Sequence, residues 1–115
     1  DIDYGIFYVD MRDHPERYQG KTVKFKGMVL KSRDVGANFF VPGRMAMTCC
    51  AEDTTFIGYV CQSKNAQKLA MGSWVEVTAT VDWKYLDVYH EEGPVLKAKA
   101  IRSAKAPEAE LVYFN

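Results

Sequence analysis

The clearest pattern in the chain is the alternation over residues 74–84. Val75, Val77, Ala79, Val81 and Trp83 fall on one face, and Glu76, Thr78, Thr80 and Asp82 on the other. A period of two over that length predicts a strand with one face in a core and one in water. Residues 22–32 read the same way, with Val23 and Phe25 opposing Lys24 and Lys26. There the alternation breaks after Gly27 into Met28-Val29-Leu30, which predicts a bulge or sharp bend. Residues 38–41 predict a short strand ending at Pro42-Gly43. Residues 44–50 predict the next, with Met45, Met47 and Cys49 on one face and Ala46, Thr48 and Cys50 on the other. Ala51-Glu52-Asp53-Thr54 then reads as a turn into a return strand over 56–62. A last strand over 95–103 follows a loop through His90, Glu91, Glu92, Gly93 and Pro94.

Two helical segments interrupt this pattern. Within residues 4–18, Pro15 suits the first turn of a short helix, with Asp13 as its cap and Gly20 as its stop. Residues 63–71 predict a second, with Ser63 or Asn65 as cap, Ala66 and Leu69 packing inward, and Gly72 as stop. The order is small helix, strand, hairpin, short helix, long strand, final strand. It fits a mostly β fold, a five-stranded OB-like Greek-key barrel whose bent first strand serves two sides, with an SH3-like barrel as the alternative. Residues 1–115 are expected to form one domain, with 1–20 as an N-terminal segment carrying the short helix and 104–115 as a C-terminal extension.

Composition narrows the function more than the fold. The 115 residues are 48% hydrophobic and 26% charged, which excludes a disordered chain. Fifteen basic residues balance fifteen acidic ones, so the net charge is zero and no nucleic-acid partner is expected. Lys24, Lys26, Lys97 and Lys99 lie on outward faces of the first and last strands. If those strands were neighbours they would form a basic stripe, which the neutral total favours reading as a solvated face. No run approaches the roughly 20 apolar residues that span a bilayer. The chain opens on Asp1 rather than Met, which leaves open an upstream signal or membrane segment.

Candidate chemistry concentrates in one stretch, Arg44-Met45-Ala46-Met47-Thr48-Cys49-Cys50-Ala51-Glu52-Asp53. Adjacent cysteines in an extended strand point to opposite faces, so both reach one ligand only where the strand ends between them. Cys50 and Asp53 have the two-residue gap of turn-type metal ligation. Cys61 on the return strand and His90 in a loop are possible further ligands, and such a set suits a borderline-soft ion such as zinc. Three readings stay open for the three cysteines: a metal site, a bridge from Cys49 or Cys50 to Cys61, and buried free thiols. Arg44 is expected to pair with Asp53 or Glu52 rather than to capture an external anion. His14, before Pro15, reads as structural. Cys50 with His90 is conceivable as an activated thiol, yet no spacing demands it, and neither a nucleophile elbow nor a phosphate loop is present.

His14-Pro15-Glu16-Arg17-Tyr18-Gln19-Gly20-Lys21, Phe25-Lys26-Gly27-Met28-Val29, Phe39-Phe40-Val41, the Arg44-to-Asp53 stretch and Gly72-Ser73-Trp74-Val75 occur in that order. Together they resemble the soluble C-terminal domain of the YcgQ-like family, whose members are described as subunits of two-component membrane permeases. Arg44, Cys49, Cys50 and Asp53 match the family signature. Glu52 stands where a small residue is usual, and Cys61 and His90 lie outside the signature. The resemblance implies a non-catalytic accessory or ligand-binding domain of a membrane-anchored protein; the sequence leaves the side of the membrane open, with the extracytoplasmic side favoured. It also implies an integral-membrane, permease-like partner. No assigned reaction comes with it.

Overall fold

The computed structural model describes residues 4–31, 36–47, 54–86, 91–107 and 111–113. Its backbone is a long antiparallel ribbon. Strand β5 (Trp74–Leu86) pairs with β6 (Glu91–Ser103) from Val75 opposite Ser103 to Leu86 opposite Glu91, with an irregularity at Thr78/Ala79. The alternation of β5 does what its sequence demands: Val75, Val77, Ala79 and Val81 are buried, while Trp83 is half-buried. The final strand starts earlier than its apolar run, because residues 91–94 pair with the far end of β5.

Strand β1 (Thr22–Leu30) lies on the other side of β5, pairing from Thr22 opposite Thr80 to Met28 opposite Trp74. At Met28 it also takes up β2 (Phe39–Met47), with Met28 opposite Gly43 and Leu30 opposite Val41. One strand thus serves two sides of the barrel, as the broken alternation at Gly27 predicts. Strand β2 pairs with β3 (Thr55–Gly58) and, through Phe39 and Phe40, with β4 (Cys61–Gln62). Strand β4 runs parallel to β6 and closes the ring. With β3 and β4 counted as one interrupted strand, this is a five-stranded OB-like barrel. The parallel closing pair sets aside the SH3-like alternative. A further short strand, β7 (Leu111–Tyr113), adds to β2 in parallel beside residues 45–47.

Several local expectations are corrected. The α-helix α1 is Tyr4–Asp13, ahead of Pro15, and only a 3-10 turn follows at Pro15–Arg17. Proline disfavours helix in the residue before it, and His14 accordingly leaves the helix with φ −135 and ψ 60. The helical segment over 63–71 shrinks to a 3-10 turn at Ala66–Lys68; Leu69 is already extended, and Ala66 is the turn's buried residue. Strand β2 runs unbroken through Pro42-Gly43. Gly43 is there for close approach: a Cβ on it would sit 2.1 Å from the Ile57 carbonyl oxygen. A Cβ on Gly27 would sit 2.8 Å from the carbonyl carbon of Pro42, so the bend in β1 presses directly onto β2.

The main core joins Val29, Phe40, Cys61, Val77 and Leu96 from the barrel with Met11 of α1 and Ala66 of the 3-10 turn. Burying each large side chain there contributes about 1.5–3 kcal/mol. Tyr4, Ala46 and Ile57 form a smaller cluster. Phe7 and Tyr8 pack against both, so α1 is sealed onto the barrel by its aromatic face. No helix among the described residues is long and apolar enough to cross a membrane.

Candidate functional site

Strand alternation puts Arg44 on the buried face of β2 together with Ala46. The side chain is 2% exposed. Its Nε and Nη2 both donate to the Lys26 carbonyl oxygen at 3.3 Å. The guanidinium also lies 5.2 Å from the Tyr4 ring centre and 5.6 Å from that of Trp74. A cation taken out of water is tolerated where acceptors and π faces replace its hydration. Burial still pulls the guanidinium below its usual basicity, with Tyr4 acting in the opposite direction. Tyr4 is fixed in turn: its hydroxyl donates to the Pro42 carbonyl at 3.2 Å, and its ring packs on Phe7 and Phe25. Burial raises the Tyr4 phenol, which stays protonated.

These contacts hold the strand that leads into the cysteine pair. On one side β2 pairs with β3 from Gly43 to Ala46, and on the other with β7 from Met45 to Met47. One edge is therefore occupied up to Ala46 and the other up to Met47, two residues before Cys49. Cys49, Cys50, Asp53 and His90 lie outside the described residues, as do Glu52 and hence the expected pairing of Arg44 with Asp53 or Glu52.

Cys61 belongs to different surroundings. It is 0% exposed, sits between Phe40 and Leu96 in the strand register, and is a free thiol. Burial pushes this thiol up to about 12, against the contrary pull of a hydrogen bond with the Ala98 backbone. Of the three cysteine readings, the buried free thiol therefore holds for Cys61, and the bridge to it is not formed. Arg44 and Cys61 are not brought together. Among the described residues no group of three or more His, Cys, Asp or Glu side chains could hold a metal ion. His14 is a surface residue with Nδ1 3.6 Å from Glu16.

The lysines of β1 and β6 do not merge into a stripe, because β5 lies between the strands. Its carboxylates intervene: Glu76 meets Lys24 at 3.7 Å and also bonds Arg102. Asp82 meets Lys97 at 3.2 Å and Lys84 at 3.8 Å. Both carboxyls are held below their usual range, Glu76 chiefly by Arg102, Asp82 chiefly by the Trp83 amide and then Lys97. Sequence reasoning missed the aromatic seal of α1, in which the Tyr59 hydroxyl donates to the Tyr8 carbonyl at 2.6 Å and the two rings stack. The signal was present, since Tyr4, Phe7, Tyr8 and Met11 have the spacing of one helix face.

A family model described as the DUF1980 C-terminal domain matches residues 1–114. The chain belongs to that family. In this DUF1980 domain, the buried arginine and the cysteine-pair stretch lie well inside the matched region. UPF0703 protein YcgQ of Bacillus subtilis (strain 168) is 21% identical over 101 residues, covering 88% of this chain and 35% of that protein. The chain thus spans about a third of the length of the curated relative it matches.

Proposed function

We propose that this domain is a non-catalytic accessory or ligand-binding module of a membrane permease complex, and that it works through the turn Cys49-Cys50-Ala51-Glu52-Asp53. The observation that carries this reading is the placement of Arg44. A cation buried between Tyr4 and Trp74 and bonded to Lys26 is a positioning group. It fixes, from inside the barrel, the strand that leads into Cys49 and Cys50, and is itself too buried to meet a partner. Membership of the DUF1980 family and similarity to YcgQ support the family resemblance. That resemblance is what supports the permease-like partner and the membrane anchoring.

Affinity capture of the intact protein from gently solubilised membranes tests the proposal. Recovery of an integral-membrane partner with the wild type, and its loss on Asp53→Ala with the barrel still folded, is the expected result. Recovery of no membrane protein would count against it.

A further inference from the structure

Because β1 changes partners at Met28, its first half has a strand on one side alone among the described residues: residues 22–28 pair with β5, and pairing with β2 begins at Met28. In an antiparallel ladder, alternate residues turn their N–H and C=O groups to opposite sides. The phase is fixed by the Val29 amide on the Ser73 carbonyl at 2.8 Å and the Val81 amide on the Lys21 carbonyl at 2.9 Å. Odd-numbered residues of β1 therefore face β5, and Lys24 and Lys26 direct their backbone groups the other way. Arg44 bears this out, since both of its bonds reach the Lys26 carbonyl on that outer side. The Lys24 amide and carbonyl and the Lys26 amide stand along an edge with no neighbouring strand among the described residues.

An open cleft of about 440 Å³ follows this edge, with Tyr4, Phe7 and Phe25 on its apolar side and Lys24, Lys26 and Glu76 on its polar side. Glu76 is already shared by Lys24 and Arg102. The Lys26 ammonium makes no ion pair among the described residues, so three cations face one carboxylate. A second copy pairing antiparallel at this edge would set lysine against lysine, and like charges directly opposite are destabilising. The charge instead suits an acidic strand.

We propose that the outer edge of β1, over residues 22–26, binds an extended acidic peptide segment of a partner protein by strand addition. Alternate residues of the peptide place apolar side chains over Phe7 and Phe25 and carboxylates beside Lys24 and Lys26, while its backbone pairs with the two lysine residues. Five residues at ~3.3 Å each match the length of the open edge. This proposal does not rest on the one made for the cysteine-pair stretch and stands or falls independently of it.

The test titrates the full chain with a capped, fluorescein-labelled Glu-Val-Glu-Val-Glu peptide, following anisotropy and amide exchange. Saturable binding is expected, with exchange at the Lys24 and Lys26 amides slowed about tenfold or more. Lys26→Glu should weaken binding about fivefold at low salt. Lys24→Pro should abolish it while sparing the β1–β5 ladder, because the N–H it removes faces away from β5. A peptide N-methylated on its pairing amides keeps the test decisive on the wild-type chain should Lys24→Pro fail to fold, and it too should not bind. No binding of the acidic peptide, equal binding of a Lys-Val-Lys-Val-Lys peptide, or undiminished binding of the N-methylated peptide would overturn the proposal.

Discussion

Replacing Arg44 by alanine removes a charged side chain from the joint between β1, β2 and α1. The lost contacts include one shared hydrogen-bond site at the Lys26 carbonyl and two aromatic faces. A hydrogen bond from a charged donor is worth about 1.5–3 kcal/mol. Each cation–π contact adds about 0.5–2 kcal/mol. Relief from burying a cation offsets part of this sum, while a cavity and an unsatisfied Lys26 carbonyl restore much of the loss. The expected net cost is about 3 kcal/mol, or ~12 °C in Tm for a domain of this size. Urea unfolding followed by the fluorescence of Trp74 and Trp83 measures it, and an unchanged m value shows that the difference is one of stability. Arg44→Met, which keeps bulk and removes charge, should cost less than Arg44→Ala. Arg44→Lys should also be damaging, because an ammonium has no planar fork to lie between two rings while bonding a carbonyl. An Arg44→Ala protein within about 0.5 kcal/mol of wild type, or an Arg44→Lys protein indistinguishable from it, would refute the anchoring role.

The remaining expectations concern Cys61 and Gly43. The Cys61 thiol is raised from an ordinary 9.0 to about 12, so above pH 9 the unfolded chain loses a proton that the fold retains. Its stabilising contribution is complete below pH 9 and declines above it by up to about 1.4 kcal/mol per unit. Tyr4 acts in the same direction from its ordinary 10.0. Stability measured against pH should fall in this alkaline range, and less steeply in Cys61→Ala; identical slopes would contradict the burial argument. Cys61 should also resist alkylation in the native state at pH 8 and react once the chain is unfolded, a contrast that mass spectrometry of the tryptic peptide reads out. Gly43→Ala forces a Cβ to within 2.1 Å of the Ile57 carbonyl oxygen. A loss of about 3 kcal/mol or failure to fold is expected by circular dichroism, against about 1 kcal/mol for Gly20→Ala, which meets open space at φ +81.

The parts of this fold that were legible are those in which one local rule acts without competition. The β5 alternation predicts its buried face residue by residue, and the phase change at Gly27 marks the point where β1 turns from β5 towards β2. Reading failed where tertiary contact decides. Pro42-Gly43 has the composition of a turn, but the chain runs straight because Gly43 clears the Ile57 carbonyl and β1 leans on Pro42. Pro15 suits a helix start, but the aromatic spacing of Tyr4, Phe7, Tyr8 and Met11 is the stronger signal and places α1 before it. At the candidate site, the signature of Arg44 and the cysteine pair could be read from residue types alone. That the arginine lies between Tyr4 and Trp74 could not, since those residues are 40 and 30 positions away and meet it only through barrel closure. Lys24 and Lys97 teach the same lesson: their pairing with Glu76 and Asp82 depends on β5 lying between β1 and β6, which is a property of strand order and not of composition.

Site-specific photo-crosslinking in membranes tests the central claim most directly. A photoreactive amino acid replaces Glu52 of the cysteine-pair stretch in the intact protein, and in a parallel sample it replaces Lys68, an exposed residue of the 3-10 turn at Ala66–Lys68. Crosslinks from position 52 to an integral-membrane protein, absent from position 68, are the predicted result. Crosslinks of equal yield from both positions, or none from position 52 while the protein is folded and membrane-associated, would contradict an accessory domain that meets its partner through the cysteine-pair turn.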